Sequence, residues 1–329
     1  MDQKTIISHK EFNFKGFFFQ WEWMLVLIFI VVNIINMMLS PYYLSGSGLL
    51  DATNTFLDKA FIVLPMAYIL ILGDIDISVG STVALSAVVM AVAYNMGVPM
   101  GLAMVICLAV GTLCGFLNGL MIVKFKELSA VIVTLATMII YRGIAYIILE
   151  DRAAGQFPGW YTYLGWGDIK GIPFILVVFA VCALIFGLLL HKTTFGRRVF
   201  AMGNNITASR FSGIQVDRIK VIIFTLAGLM SGVTALFLTS RMGSTRPNVA
   251  LGYELDVIAM AVLGGISTAG GKGRMIGAII AVFLIGFLRY GLGLVNVPAQ
   301  VLLVIVGLLL IFAVMIPNLK LNIGKAKKV

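Results

Sequence analysis

Few side chains in this sequence are of a type that does chemistry, and they gather at a handful of places. The stretch "AVLGGISTAGGKGRMIGAII", residues 261–280, sets Lys272 in a turn rich in glycine (Gly264, Gly265, Gly270, Gly271, Gly273) between two apolar runs. A phosphate-cradling loop has the pattern G-x-x-x-x-G-K-[ST], in which backbone N–H groups wrap the phosphates and the last hydroxyl holds magnesium. Here Gly273 follows Lys272 and Ile266 stands where the first glycine belongs, so the pattern fails at two positions. A tight turn is the plain reading, and contact with a partner subunit is the functional one. The stretch "LGDIDISVGSTVALS", residues 72–86, holds Asp74 and Asp76 between apolar runs too close together for a roomy loop. Ionisable groups so placed are costly and line a polar pathway or cap a helix. Ser78 and Ser81 suit the cap, and Asp76 and Ser78 are pathway candidates. In "GLAMVICLAVGTLCGFLNGLMIV", residues 101–123, Gly111, Gly115 and Gly119 recur every four residues, a spacing that lets helices approach closely in lipid. Asn118 in the same run must find a partner or face a polar cavity. Glu254 and Asp256 head the run "GYELDVIAM" and complete the pathway candidates. His9 and His191 have no metal-ligand neighbours at suitable spacing, so no metal site is expected. Cys107, Cys114 and Cys182 lie in apolar runs, where a thiol behaves as a small hydrophobe.

The elements that must carry these residues follow from composition. Of 329 residues 60% are hydrophobic and 12% charged, with a mean hydropathy of +1.05, against about 25% charged in a soluble domain. The chain reads as an all-α, multi-pass integral membrane protein with no segment left for a soluble catalytic domain. Apolar runs bounded by charges, glycines and prolines predict ten transmembrane helices near 21–39, 56–72, 79–96, 100–123, 131–149, 173–190, 221–241, 254–268, 275–292 and 299–316. The eighth, with its acidic start and early glycines, is the one expected to be short or broken. The opening "WEWMLVLIFIVVNIINMML" lacks a small-residue cleavage site and reads as a first membrane helix.

Lysine and arginine are retained on the cytoplasmic side, so their distribution orients the helices. With both termini inside, cytoplasmic segments hold 17 of the 24. The expected organisation is a cytoplasmic segment 1–20, a membrane domain 21–316 with a cytoplasmic loop 191–220, and a basic tail 317–329. The net charge of +10 is then explained by topology and anionic lipid, without nucleic acid. Helices 2–5 and 7–10 are five spans apart, an odd number, so any likeness between them is that of an inverted repeat.

Two loops rise above a generic bundle. In 191–220, Asn205 is a good N-cap, "ITASRFS" is long enough for about two helical turns, and Gly213 suits the left-handed stop. A short helix presenting Phe211 and Ile214 there predicts a protein-docking element rather than a plain charged loop. The loop 150–172, on the outside by this topology, carries Trp160, Tyr161, Tyr163 and Trp166; such rings ordinarily mark the membrane interface, with an external docking surface as the alternative.

The segments "GDIDISVGS", "GNNITASRFSGIQVDRIK", "GYELDVIAMAVLGGISTAGGKGR" and "IGAIIAVFLIGFLRYGLGL" resemble, in the same order, the permeases of bacterial ABC importers for monosaccharides, the ribose-permease family, from about residue 60 to residue 316. That family also serves autoinducer-2, rhamnose, xylose and galactofuranose uptake. The resemblance implies a non-catalytic subunit of the bacterial inner membrane. It would be paired with a second permease, identical or paralogous, with ABC ATPase subunits on the cytoplasmic side and with an extracytoplasmic sugar-binding protein. ATP and magnesium would be bound by the ATPase and not by this chain. Gly203, Asn204, Asn205, Ala208, Arg210, Phe211, Ser212 and Gly213 would form the coupling element that sits on the ATPase. Ile206, Thr207 and Ser209 depart from the charged or small residues common there, which leaves the choice of ATPase open. The competing class is a stand-alone carrier coupled to protons or sodium, which needs an ionisable relay; Asp76, Lys59 and Arg142 form no evident series in the sequence.

Overall fold

The computed structural model describes residues 21–45, 48–298, 300–309, 311 and 315, and the expected terminal segments 1–20 and 317–329 lie outside them. The chain runs α1 (Trp21–Leu39), α2 (Gly48–Ile71), α3 (Val79–Asn95), α4 (Met100–Lys124), α5 (Ala130–Leu149), α6 (Tyr163–Trp166), α7 (Phe174–Lys192), α8 (Thr194–Asn204), α9 (Ile206–Phe211), α10 (Val216–Met242), α11 (Tyr253–Leu263) and α12 (Met275–Leu294), then α13 (Gln300–Leu309). Two-residue strands pair antiparallel, β1 (Ala154–Gly155) with β4 (Ser244–Thr245) and β2 (Asp168–Ile169) with β3 (Ile172–Pro173).

Seven of these helices, α1, α2, α4, α5, α7, α10 and α12, are long and apolar enough to cross a membrane. Of the ten predicted runs, three are not among these seven: α3, with 17 residues, the described part of α13, and α11, whose 11 residues rise about 16 Å against a hydrocarbon core of about 30 Å. Two boundaries differ from the sequence reading for the same reason. Helix α2 begins at Gly48 rather than near 56, and α10 at Val216 rather than 221. Polar residues end an apolar run without ending a helix, and Asp51 and Asp217 in the first turns favour the N-terminal dipole.

Helix α2 is the axis of the bundle, with 94% of its most apolar window buried, whereas α1 has 11%. It is packed against α7, α10, α11 and α12. Lipid tails are as apolar as leucine, so what joins such helices is close contact rather than escape from water. The glycine ladder supplies it. A Cβ on Gly111 would lie 2.5 Å from the Gly228 carbonyl oxygen, and one on Gly115 2.8 Å from the Gly228 Cα. The backbones of α4 and α10 therefore touch where the sequence spacing predicted a close helix crossing.

The segment 150–173 is pinned to the far end of α10. Tyr161 is fully buried and its hydroxyl bonds the Leu236 carbonyl (2.8 Å) and Thr239 (2.8 Å), while the Gly165 N–H donates to Ser240 Oγ (2.9 Å). Trp160, Tyr163 and Trp166 remain exposed. The aromatic cluster is thus one anchor and three surface rings.

Candidate functional site

Three polar assemblies interrupt the apolar bundle. The first gathers three of the predicted pathway residues around the break between α2 and α3. Helix α2 stops at Gly73, whose φ is +81°; the Gly73 and Asp74 amides turn back to the carbonyls of Leu70 and Ile69. Asp76 then accepts from the Ser78 N–H (2.9 Å) and Ser78 Oγ (2.7 Å), Asn118 donates to Ser78 Oγ (2.7 Å), and Tyr141 donates to Asn118 Oδ1 (2.9 Å). Thr134 of α5 holds the strand of backbone between them through the Ile77 N–H (3.2 Å). Asp76, Ser78 and Asn118 are all buried. The serine cap expected for α3 is not made: Ser78 makes no side-chain cap bond. Its hydroxyl is committed to Asp76 and Asn118 instead, because a buried carboxylate without a countercharge needs donors.

The second assembly holds Asp256, with charged residues whose partners were not evident in sequence. Lys59 Nζ pairs with Asp256 Oδ2 (2.7 Å) and lies 4.9 Å from the centroid of the Tyr253 ring, and Arg289 bonds the other carboxylate oxygen. One residue along α2, Asp58 receives Arg241 (2.8 Å) and the Tyr253 hydroxyl (3.2 Å). Four helices, α2, α10, α11 and α12, meet at these charges. Asp58, Arg241 and Tyr253 were missed; the signal available was the adjacency "DK" inside an apolar run. Glu254 stands apart from this group, against α3 where Gly80 leaves room for its carboxylate. Arg142 likewise joins neither set and donates to the carbonyls of Pro247 and Val249 (2.6 Å each).

The third assembly lies at the end of the bundle where α2 stops. Asn205 ends α8 and caps α9, accepting from the Ala208 N–H (2.9 Å). Gly213, at φ +80°, stops α9 after Ser212, and Phe211 between them is 89% exposed. The predicted short helix is present; the preceding α8, capped by Thr193, was not expected. Arg210 pairs with Asp217 (2.8 Å), and a cleft of about 470 Å³ separates α9 from the α4–α5 connection, lined by Asp74, Lys126, Arg210, Phe211, Asp217 and Lys220 among others. Lys220 reaches Asp74 at 2.5 Å, two residues before Asp76.

The glycine-rich turn closes this junction. The Gly271 N–H donates to the Ile71 carbonyl (2.8 Å), a Cβ on Gly203 would lie 2.5 Å from the Gly271 nitrogen, and one on Gly271 2.6 Å from Asn204 Oδ1. Gly264 is pressed against Ala278 and Gly265 against the Trp21 ring. Gly270 and Gly273 take positive φ of +86° and +154°, conformations that suit glycine. Lys272 is exposed and its carbonyl accepts the Ser267 N–H (3.0 Å). The turn's backbone is thus engaged in packing α2, α8 and α12 together.

A helical bundle with buried polar clusters and a capped surface helix suits a conduit rather than a reaction centre, and relatives identify which kind. Residues 48–314 match the family described as branched-chain amino acid transport system / permease component. The chain belongs to this permease family. The permease is 34% identical over 314 residues to the autoinducer 2 import system permease protein LsrD of Escherichia coli (strain K12), the match covering 94% of this chain and 95% of the relative. The same figures hold for the protein of that name from Shigella flexneri and from Escherichia coli O157:H7. No solved structure matches the chain. The family description and the relatives' name point to different solutes, so membership fixes transport and leaves the solute to the site.

Proposed function

We propose that this permease forms half of the translocation pathway of an ATP-driven importer in the bacterial inner membrane, for a monosaccharide or a related small polar solute. Three shorter helices, α3, α11 and α13, would join the seven long ones in a ten-helix bundle with both termini cytoplasmic. A second permease, identical or paralogous, would complete the pathway, and an extracytoplasmic binding protein would deliver the solute. ATP and magnesium would sit on separate ATPase subunits.

The observation that carries this reading is α9. A six-residue helix capped at both ends, with an aromatic side chain left bare at its last residue, is built to be gripped by another protein. It is packed on α8 and α10, and α8 in turn meets the turn 264–274 through Gly203 and Asn204, so a push on α9 is transmitted rather than absorbed. The Asp74–Lys220 pair carries that push to the segment with Asp76 and Ser78, which with Asn118 of α4 we assign as the solute-facing gate. The buried charges at Asp256 are all paired, which suits a scaffold better than the proton relay of a stand-alone carrier.

The test is co-purification of the tagged chain with its native neighbours in mild detergent, subunits identified by mass spectrometry. An ATPase subunit is expected with the wild type and is expected to be lost with Arg210→Glu combined with Gly213→Asp. A chain that purifies alone and moves solute into vesicles on an ion gradient would sink the proposal.

A further inference from the structure

The start of α12 is held by a side chain from another helix. Arg274, at its N-cap position, makes no side-chain cap bond, and the first amides of a helix have no partner within it. The Met275 N–H instead donates to His191 Nε2 (3.1 Å) at the end of α7. That bond needs a ring nitrogen without a proton, so it selects the neutral imidazole with its hydrogen on Nδ1. His191 is itself exposed at the end of the bundle that carries α9, whereas the Met275 side chain is buried. Protons therefore reach the acceptor without any unfolding around it.

Both sides of the contact are tightly built. On the α7 side the chain turns into α8 with Thr193 Oγ1 donating to the Leu189 carbonyl (2.6 Å), and a Cβ on Gly196 would lie 1.8 Å from the Leu190 carbonyl oxygen. Phe200 of α8 packs on the imidazole, ring centroids 6.1 Å apart. On the α12 side a Cβ on Gly277 would lie 2.0 Å from the Gly264 carbonyl oxygen, which presses the first turn of α12 on the end of α11. The charged groups that face the ring are Lys192 on its own helix and Arg274 at the start of α12, and Arg274 in turn pairs with Glu22 of α1 (3.2 Å). The first turn of α12 has no acidic residue. An imidazolium would thus set an N–H against the Met275 N–H and add a positive charge beside Lys192, Arg274 and the positive end of the α12 dipole.

We propose that His191 is a proton-sensitive clasp between α7 and α12, closed when the imidazole is neutral and released when it is protonated. Release acts on the turn 264–274, which leads into Met275 and whose Gly271 amide holds the Ile71 carbonyl of α2. Acidification on the α9 side therefore weakens transmission from α9 to α2, a consequence that rests on the importer reading given above, whereas the clasp itself does not.

The experiment uses the permease–ATPase complex in nanodiscs and follows ATP hydrolysis stimulated by solute-loaded binding protein from about pH 7.5 to about pH 5.5. Wild type is compared at each pH with His191→Gln, whose amide oxygen accepts a hydrogen bond but takes up no proton, so the pH dependence of the other subunits cancels in the ratio. The ratio is expected near unity at the upper limit and lower by about five-fold at the lower, the worth of one hydrogen bond. His191→Leu, which has no acceptor, should sit at the low value throughout. A ratio that does not change with pH overturns the proposal. The tautomer is read separately by nitrogen NMR of histidine-labelled chain carrying His9→Gln, which leaves His191 as its one histidine; a neutral ring protonated on Nε2 overturns the clasp. Should wild type show no stimulation at any pH, hydrogen exchange at Met275 decides. Exchange that speeds up relative to His191→Gln as pH falls keeps the clasp and overturns only the importer reading, and equal exchange overturns the clasp.

Discussion

The substitution Asp256→Asn isolates what the buried charges do. In the native bundle the two oxygens of Asp256 are divided between Lys59, at 2.7 Å, and Arg289, and the carboxylate is 9% exposed. Asparagine keeps the volume and removes the charge, leaving two cations in a site with no remaining anion except Asp58, which Arg241 and Tyr253 already hold. Breaking a buried pair while leaving its partner costs about 3–5 kcal/mol, and each 1.4 kcal/mol is a factor of about ten. The folded population relative to unfolded should therefore fall by about a hundred-fold or more, a large share of a stability of about 5–15 kcal/mol. The assay is denaturant or thermal unfolding in a defined detergent. The companion is the charge-free triple Lys59→Met, Asp256→Leu, Arg289→Met, expected to recover wild-type stability because the desolvation cost goes with the pairs. A melting temperature for Asp256→Asn equal to wild type would refute the reasoning. Uptake by the triple variant then separates roles: uptake retained at full stability makes the network a scaffold, and uptake lost makes Asp256 part of the solute path.

Gly115→Leu should push α4 and α10 apart and cost about 1–3 kcal/mol or more, read as lost folded protein in membranes, while Gly101→Ala, with nothing within 4 Å of its added Cβ, should be neutral or slightly stabilising. Asn118→Leu removes the partner shared by Ser78 and Tyr141, whose hydroxyls keep Asp76 and the Cys114 carbonyl, at a cost of about 0.5–1.5 kcal/mol, and uptake should fall further than stability if these residues face solute; equal falls would mark them as structural. Asn205→Ala removes the cap of α9 at a cost of about 1 kcal/mol and should weaken ATPase association in pull-down without moving the melting temperature of the bundle. Lys220→Met should leave the ATPase bound but abolish stimulation of hydrolysis by loaded binding protein; normal stimulation would show that the Asp74 contact carries no signal.

What could be read from the chain divides by range. The glycine spacing of α4 announced a close crossing because a helix period is local, and Asn205 and Gly213 announced α9 because caps are satisfied within one turn. The three stretches that hold the pathway candidates were visible as residues, but their grouping was not. Asn118 meets Ser78 across 40 residues and Lys59 meets Asp256 across 197; neither periodicity nor composition carries such distances. Asp58 was not singled out in the sequence, where it stands beside Lys59 in an apolar run. In a helix adjacent residues do not face one another, so each had to find its counter-charge on another element, Asp58 on α10 and Lys59 on α11.

That arrangement makes α2 the common member of all three polar assemblies. Its middle holds Asp58 and Lys59, and its C-terminal carbonyl at Ile71 receives the Gly271 amide of the α9 junction before the chain turns to Asp74 and Asp76 at the α2–α3 break. A buried helix clamped in its middle and at its C-terminal end has little freedom to bend locally, since each displacement must break ion pairs or a backbone contact that glycines alone permit. Motion imposed at α9 therefore acts on one body. Reciprocity of binding free energies then requires that whatever binding-protein docking does to ATPase affinity, the ATPase does to docking.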